Sequence, residues 1–179
     1  NQLDVDAWLA SANPSDPSTA KNFVRSRMSF NGGATWQPIP PPTNYNKEQR
    51  GSSGGIGTDK CKTCTGPNCF LQLSGPSQWS YSQGSQMQPT VYHHANAPAL
   101  LIANGNFGEY VDLESGGCTF VSRNGGYSWE EIAGGTNVYE FTDHGALLVM
   151  ATHASEGPTS TIHFSADEGR CWRTLDIAA

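Results

Sequence analysis

An all-β fold assembled from four-stranded antiparallel meanders is predicted by three observations. The first is composition: the 179 residues include 20 Gly and 11 Pro, and only 15% are charged. That balance favours turns and short strands over long helices, which need Ala, Leu, Glu and Lys in bulk. The second is a box written three times, as SFNGGATW at 29–36, SRNGGYSW at 122–129 and SADEGRCW at 165–172. The third is spacing. The second and third boxes begin 43 residues apart, within the roughly 40 to 50 residues of one β-propeller blade per repeat.

Taken in order, the opening PSDPST stretch reads as a loop, and NFVRSRMSF with TWQPI flanks the first box as the last hairpin of one blade, spanning 1–39. The first and second boxes begin 93 residues apart, about two blade lengths, yet the interval holds one set of strands. These are FLQLSG at 70–75, ALLIANGN at 99–106 and CTFVSR at 118–123, separated by Pro-, Gly-, Ser- and Asn-rich loops. We therefore read 40–133 as one blade swollen by a cysteine-containing insertion. From 134 to 179 the runs NVYEFTDHG, ALLVMATH, STIHFSAD and CWRTLDI form a four-stranded meander. ALLVMATH is nearly all apolar, so burial on both faces is expected, as in a sheet held between two neighbours.

The box has a physical reading. Asn31, Asn124 and Asp167 are followed by Gly33, Gly126 and Gly169, which take positive φ without a Cβ clash, while the Asn or Asp oxygen accepts turn amides. Ser29, Ser122 and Ser165 open the boxes, and Trp36, Trp129 and Trp172 close them as wedges offering an indole N–H to a nearby carbonyl. Two of the three boxes carry Asn where acid–base or metal chemistry needs a carboxylate, so the box is architectural.

Charge and cysteine usage narrow the function. Ten basic against sixteen acidic residues give a net charge of −6 with no basic cluster, which argues against nucleic acid as a partner. No apolar run approaches the length of a membrane span. The chain begins at Asn1 with no signal-peptide order, so we expect a piece of a longer protein. Cys61, Cys64 and Cys69 crowd one loop, whereas Cys118 and Cys171 fall in or beside strands. The C-x2-C-x4-C spacing lacks a fourth ligand, since His93 and His94 lie more than twenty residues on; no metal and no cofactor is expected. A disulfide closing the loop in an oxidising compartment fits better. Asp143-His144 reads as a turn, His163 as a strand residue, and Glu109, Asp112 and Glu114 as solvated acids.

The box pattern is the Asp-box, shared by sialidases, some xyloglucan-cleaving propellers and sortilin/Vps10 receptors. In order, LLIANGNFGEYV (100–111), TFVSRNGGYSWEEI (119–132), VYEFTDHGALLVMATH (138–153) and TIHFSADEGRCWRTL (161–175) resemble the late blades of the sortilin/Vps10 family. The resemblance implies a fragment of a ten-bladed propeller with a central tunnel. It also implies a non-enzymatic type I receptor that carries soluble hydrolases, propeptides or other protein cargo from Golgi to endosome and vacuole. This segment would be luminal, joined to the remaining blades and to a membrane span outside the chain. CKTCTGPNCFLQLSG takes the place of the family's cysteine-closed loop and LHLHG-like strand, with Gln72 and Ser74 where the family has histidines. The family clip joins distant partners, which implies Cys61–Cys69, and the family's box cysteine implies that Cys171 pairs outside this chain. No cargo-binding arginine is carried over, because the corresponding stretch lies before Asn1. Trp79, Tyr81, Tyr92, His93 and His94, on a long loop, are the candidate cargo contacts. The alternative reading is a sialidase-like glycoside hydrolase, which requires an arginine cluster and a paired acid centre.

Overall fold

The computed structural model describes residues 2–3, 24–42, 56, 64–74, 91–112 and 117–177. Their strands are β1 (Gln2–Leu3), β2 (Val24–Arg25), β3 (Arg27–Met28), β4 (Gln37–Pro38), β5 (Phe70–Ser74), β6 (Tyr92–His93) and β7 (Leu101–Gly108). They continue as β8 (Cys118–Ser122), β9 (Glu130–Gly134), β10 (Asn137–Thr142), β11 (Leu147–Thr152), β12 (Thr161–Ser165) and β13 (Arg173–Asp176). All the strand ladders are antiparallel. No helix among these residues is long and apolar enough to cross a membrane.

Three units follow one another as blades of a β-propeller. The hairpin β3-β4 carries the first box, the sheet β5-β7-β8-β9 the second, and the meander β10-β11-β12-β13 the third. Alternation decides which side chains meet. In the last blade Tyr139 lies opposite Met150 and Phe141 opposite Leu148, and these four form a core with Ile102, Val121 and Ile132 of the middle blade. A second core, between the hairpin and the middle blade, gathers Ile39, Leu71, Leu73, Phe107, Phe120 and Trp129. The expectation that ALLVMATH is buried on both faces is corrected: Leu148 and Met150 are buried, but Val149 and Ala151 are only half-buried. The described residues supply a covering blade on one side alone.

Buried carboxamides join the blades. Asn104 of β7 accepts the backbone N–H of Asn137 at 3.1 Å and donates to the Asn137 carbonyl at 2.9 Å. The side chain thereby imitates the peptide partner that the edge of β10 lacks. Thr119 donates to the same Asn104 oxygen at 2.8 Å and accepts from the Asn137 amide at 2.8 Å. At the other joint Gln72, 1% exposed, accepts the Ser26 N–H at 2.7 Å and donates to the carbonyls of Gly108 and Glu109 at 3.0 Å. The Ser26 hydroxyl takes the Leu73 N–H at 2.8 Å, and the Ile39 carbonyl takes that of Leu71 at 3.0 Å. Backbone donors on the free edge of β5 are thus accounted for by the preceding blade. The outer edge of β9 is covered from the long insertion, where Ile56 exchanges hydrogen bonds with Ile132 and Gly134.

The disulfide differs from expectation. Cys69 bonds Cys64, with Cα atoms 5.6 Å apart, so Cys61–Cys69 does not form. Gly66 at φ 106° and the Cys69 N–H bond to its carbonyl turn the chain back within five residues, bringing the nearer cysteine into bonding range. Cys61 lies outside the described residues. Cys118 is also disulfide-bonded, and Cys171 is free and exposed.

Gly105 sets how closely β5 approaches β7, because a Cβ there would lie 2.1 Å from the Gln72 carbonyl oxygen. Gly105→Ala is therefore expected to destabilise the protein by about 1–3 kcal/mol through overpacking. A denaturant titration checks this, and an unchanged midpoint would mean that the strands are not held at this distance.

Candidate functional site

The boxes are the most repeated polar constellation in the chain, so their geometry decides whether they have chemistry to offer. In each, the serine hydroxyl accepts a glycine N–H four residues on at 2.8 Å: Gly33 to Ser29, Gly126 to Ser122, Gly169 to Ser165. Each hydroxyl in turn donates to the Asn or Asp oxygen, at 3.0, 3.0 and 2.7 Å. That oxygen accepts the backbone N–H four residues beyond it, from Thr35 and Ser128 at 2.9 Å and Cys171 at 2.8 Å. The glycines sit at φ 89°, 93° and 81°, where a Cβ is strained.

The residue before the tryptophan matches the amide or acid. Asn31 and Asn124 donate their second hydrogen-bonding group to the hydroxyls of Thr35 and Ser128, both at 2.8 Å. In the third box that position is Cys171, whose thiol is held protonated by its hydrogen bond to Asp167 and that carboxylate's charge. The Cys171 amide, then the Ser165 hydroxyl, draw the Asp167 carboxyl down from 3.8 to about 2. A depressed folded value stabilises the fold above the unfolded value and ceases to do so as pH falls towards about 2. Mild acid therefore leaves this box ionised and intact.

Neighbouring boxes also touch along one rim. Phe30 of the first stacks on Tyr127 of the second, with centroids 3.8 Å apart and planes 10° apart. Arg123 of the second donates to the Glu168 carbonyl of the third at 2.8 Å and pairs with Glu130 at 2.6 Å. The tryptophans differ. Trp172 donates to the Gly169 carbonyl at 3.1 Å and Trp129 is buried, but Trp36 is 59% exposed. Only the two-stranded hairpin represents its blade among the described residues, so no sheet lies beneath that ring.

The candidate cargo contacts separate. Tyr92 packs against Tyr139 and Phe141 and donates to the Glu140 carboxylate, which ties β6 to the last blade. Desolvation and the Glu140 carboxylate push its phenol up to about 12. It is a joint between blades. His93 and His94 are exposed, the latter accepting the Asn96 N–H at 3.2 Å, while Trp79 and Tyr81 lie outside the described residues. Glu109, read as a solvated acid, instead pairs with Arg25 at 2.5 Å, because β2 runs beside its turn. His163 sits in β12 against Thr174, and burial lowers its pKa. Among the described residues no group of three or more His, Cys, Asp or Glu converges as a metal site.

The arrangement is one of successive blades whose polar groups are occupied with one another, and relatives show the same stretch. The family model for Sortilin-Vps10, described as sortilin, neurotensin receptor 3, matches residues 7–179. The chain belongs to the Sortilin-Vps10 family. It is 33% identical over 159 residues to vacuolar protein sorting/targeting protein 10 of Ajellomyces capsulatus (strain NAm1 / WU24), covering 89% of this chain and 10% of the relative. The protein of the same name from Talaromyces marneffei is 34% identical over 155 residues, covering 87% and 9%. That from Laccaria bicolor is 31% identical over 163 residues, covering 90% and 10%. This Vps10 segment thus spans about a tenth of the length of the curated relatives it matches.

Sequence reasoning missed Gln72, Asn104 and Asn137 as the groups that position the blades. A signal was present in the pair of asparagines inside the apolar run LLIANGNF, where an unpaired amide is costly.

Gly169→Val, forcing a β-branched side chain to φ 81° with Trp172 3.4 Å from the new Cβ, is expected to cost more than about 1 kcal/mol. Asn124→Asp is expected to melt with the parent, since Ser128 can turn its hydroxyl to donate. Thermal melts of both variants test the strained-turn account, which fails if Gly169→Val is neutral.

Proposed function

We propose that this segment is a wall of the luminal cargo-binding propeller of a Vps10 receptor that carries soluble hydrolases or their propeptides from the Golgi to the endosome and vacuole. The observation that carries the reading is where the polar side chains point. Arg25, Arg123 and Arg170 pair with Glu109, Glu130 and Glu168 respectively, and the box oxygens are taken up by their own turns. These groups are spent within a turn, within a blade or, for Arg25, between blades instead of converging on a bond to be broken, which favours a receptor over the sialidase-like alternative. The name of the fungal relatives, vacuolar protein sorting/targeting protein 10, supports the vacuolar direction. Disulfides at Cys64–Cys69 and at Cys118 support a luminal, oxidising compartment.

Cargo specificity then belongs to groups outside these ladders. Exposed His93, which ends β6, and His94, which follows it, are the candidate contacts that the joint between blades leaves accessible. The blades themselves hold: Asp167 stays charged until far more acid conditions, and the carboxamide joints do not titrate.

Calorimetric titration of one hydrolase propeptide into the complete luminal region and into this segment, at about pH 7 and about pH 5, tests the proposal. Binding to the complete region at neutral pH, its loss in acid, and far weaker binding to the segment are expected. Equal affinity for both would place the principal site within these 179 residues. Turnover of a sialic-acid reporter by the complete protein would overturn the receptor reading itself.

A further inference from the structure

Asn-Gly occurs three times in the chain, at 31–32, 104–105 and 124–125. It is the sequence in which the following peptide nitrogen most easily attacks the side-chain amide, because glycine puts no Cβ in the way. The structure separates the three. Asn104 is 2% exposed and its amide is held by Asn137 and Thr119, while Gly105 is paired on both sides within the sheet. Asn31 and Asn124 are exposed, each in the turn of a box.

In both exposed turns the amide is activated alike. The Asn31 oxygen accepts the Ser29 hydroxyl at 3.0 Å and the Thr35 N–H at 2.9 Å, and the Asn124 oxygen accepts the Ser122 hydroxyl and the Ser128 N–H at the same distances. Two donors on that oxygen stabilise the charge it gains when its carbon is attacked. The amide nitrogens donate to the Thr35 and Ser128 hydroxyls, both at 2.8 Å, and those hydroxyls can pass a proton to departing ammonia. The backbones also match, with Gly32 at φ 70° and Gly125 at φ 72°. The attacking nitrogens do not. The Gly125 N–H is bonded to the Ala99 carbonyl at 2.9 Å, whereas the Gly32 N–H has no acceptor among the described residues. That bond is no fixture of the box: in the last blade, whose strands are all described, the N–H of Glu168 at the same place makes none.

We propose that Asn31 is a site of self-modification, at which the first box converts from an amide to an acid. The Gly32 nitrogen bonds to the Asn31 side-chain carbon and gives up its proton, the bond to Nδ2 breaks, and ammonia leaves with that proton. Water then opens the cyclic imide. Opening at the side-chain carbonyl gives an aspartate, and the third box shows how it is held: Asp167 takes the equivalent backbone N–H at 2.8 Å. Thr35 can turn its hydroxyl to donate to the new carboxylate, as the Cys171 thiol does to Asp167. Opening at the main-chain carbonyl instead routes the backbone through the side chain, which lengthens the turn and breaks the box. The inference concerns the turn and stands independently of the cargo reading.

Peptide mapping of the full-length protein after prolonged incubation near neutral pH, in its native state and in denaturant, is the test. In denaturant the amide-to-acid mass gain is expected at all three Asn-Gly pairs at similar rates. In the native protein it is expected at Asn31 about tenfold faster than at Asn124, the worth of the one backbone bond that holds Gly125, and not at Asn104. Equal native rates at Asn31 and Asn124, a faster change at Asn124, or an Asn31 that stays an amide natively while it converts in denaturant, would overturn the proposal.

Discussion

Neutral carboxamides placed at the joints between blades are the constraint on which the rest of this structure depends. A propeller blade ends in a strand whose backbone groups face no further strand, and buried backbone donors without partners cost about 1–3 kcal/mol each. Here Asn104 meets both backbone groups of Asn137, and Gln72 gathers Ser26, Gly108 and Glu109. These contacts fix the spacing at which the apolar faces meet, so Tyr139 and Phe141 enter the middle blade's core at one register. An ion pair in the same place would change with pH, whereas an amide does not. In this Vps10 segment the result is a wall whose carboxamide joints do not change with pH.

The boxes do the equivalent work at the rim. One hydroxyl, one amide or acid oxygen and one glycine at positive φ satisfy the turn from within, and Asn or Asp serves because the neighbouring residue changes with it. Rim contacts from Phe30 to Tyr127 and from Arg123 to Glu168 then align one turn with the next. Since the turn uses its own polar groups, little remains for a ligand. Any recognition surface must be built from what stands beyond the boxes.

How much of this was legible follows from the range of each interaction. The box turn spans eight residues, and its glycine and acceptor oxygen are neighbours in sequence, so the propeller class and its turns could be read directly. The blade joints link residues 33 and 46 positions apart, so the apolar run around Asn104 signals a buried amide but not the residue that partners it. Cys69 offered two partners in one loop, and the choice of Cys64 rests on the turn at Gly66. Tyr92 looked like a loop aromatic for the same reason: its contacts with Tyr139, Phe141 and Glu140 exist only once two blades are side by side. Half-burial of Val149, where two covered faces were expected, depends on which face of the last sheet another sheet covers, and the run ALLVMATH reads the same either way.

Native-state hydrogen exchange of the full-length protein carrying Asn104→Leu, a nearly isosteric loss of the bracket, tests most directly whether carboxamides hold the blades. The account predicts that amides of β10 and β11 lose protection together, while β5 and the turn amides of Gly126 and Ser128 keep theirs. Unchanged protection across Asn137–Thr142, with the variant folded, would contradict it and would leave apolar packing alone to set the joint.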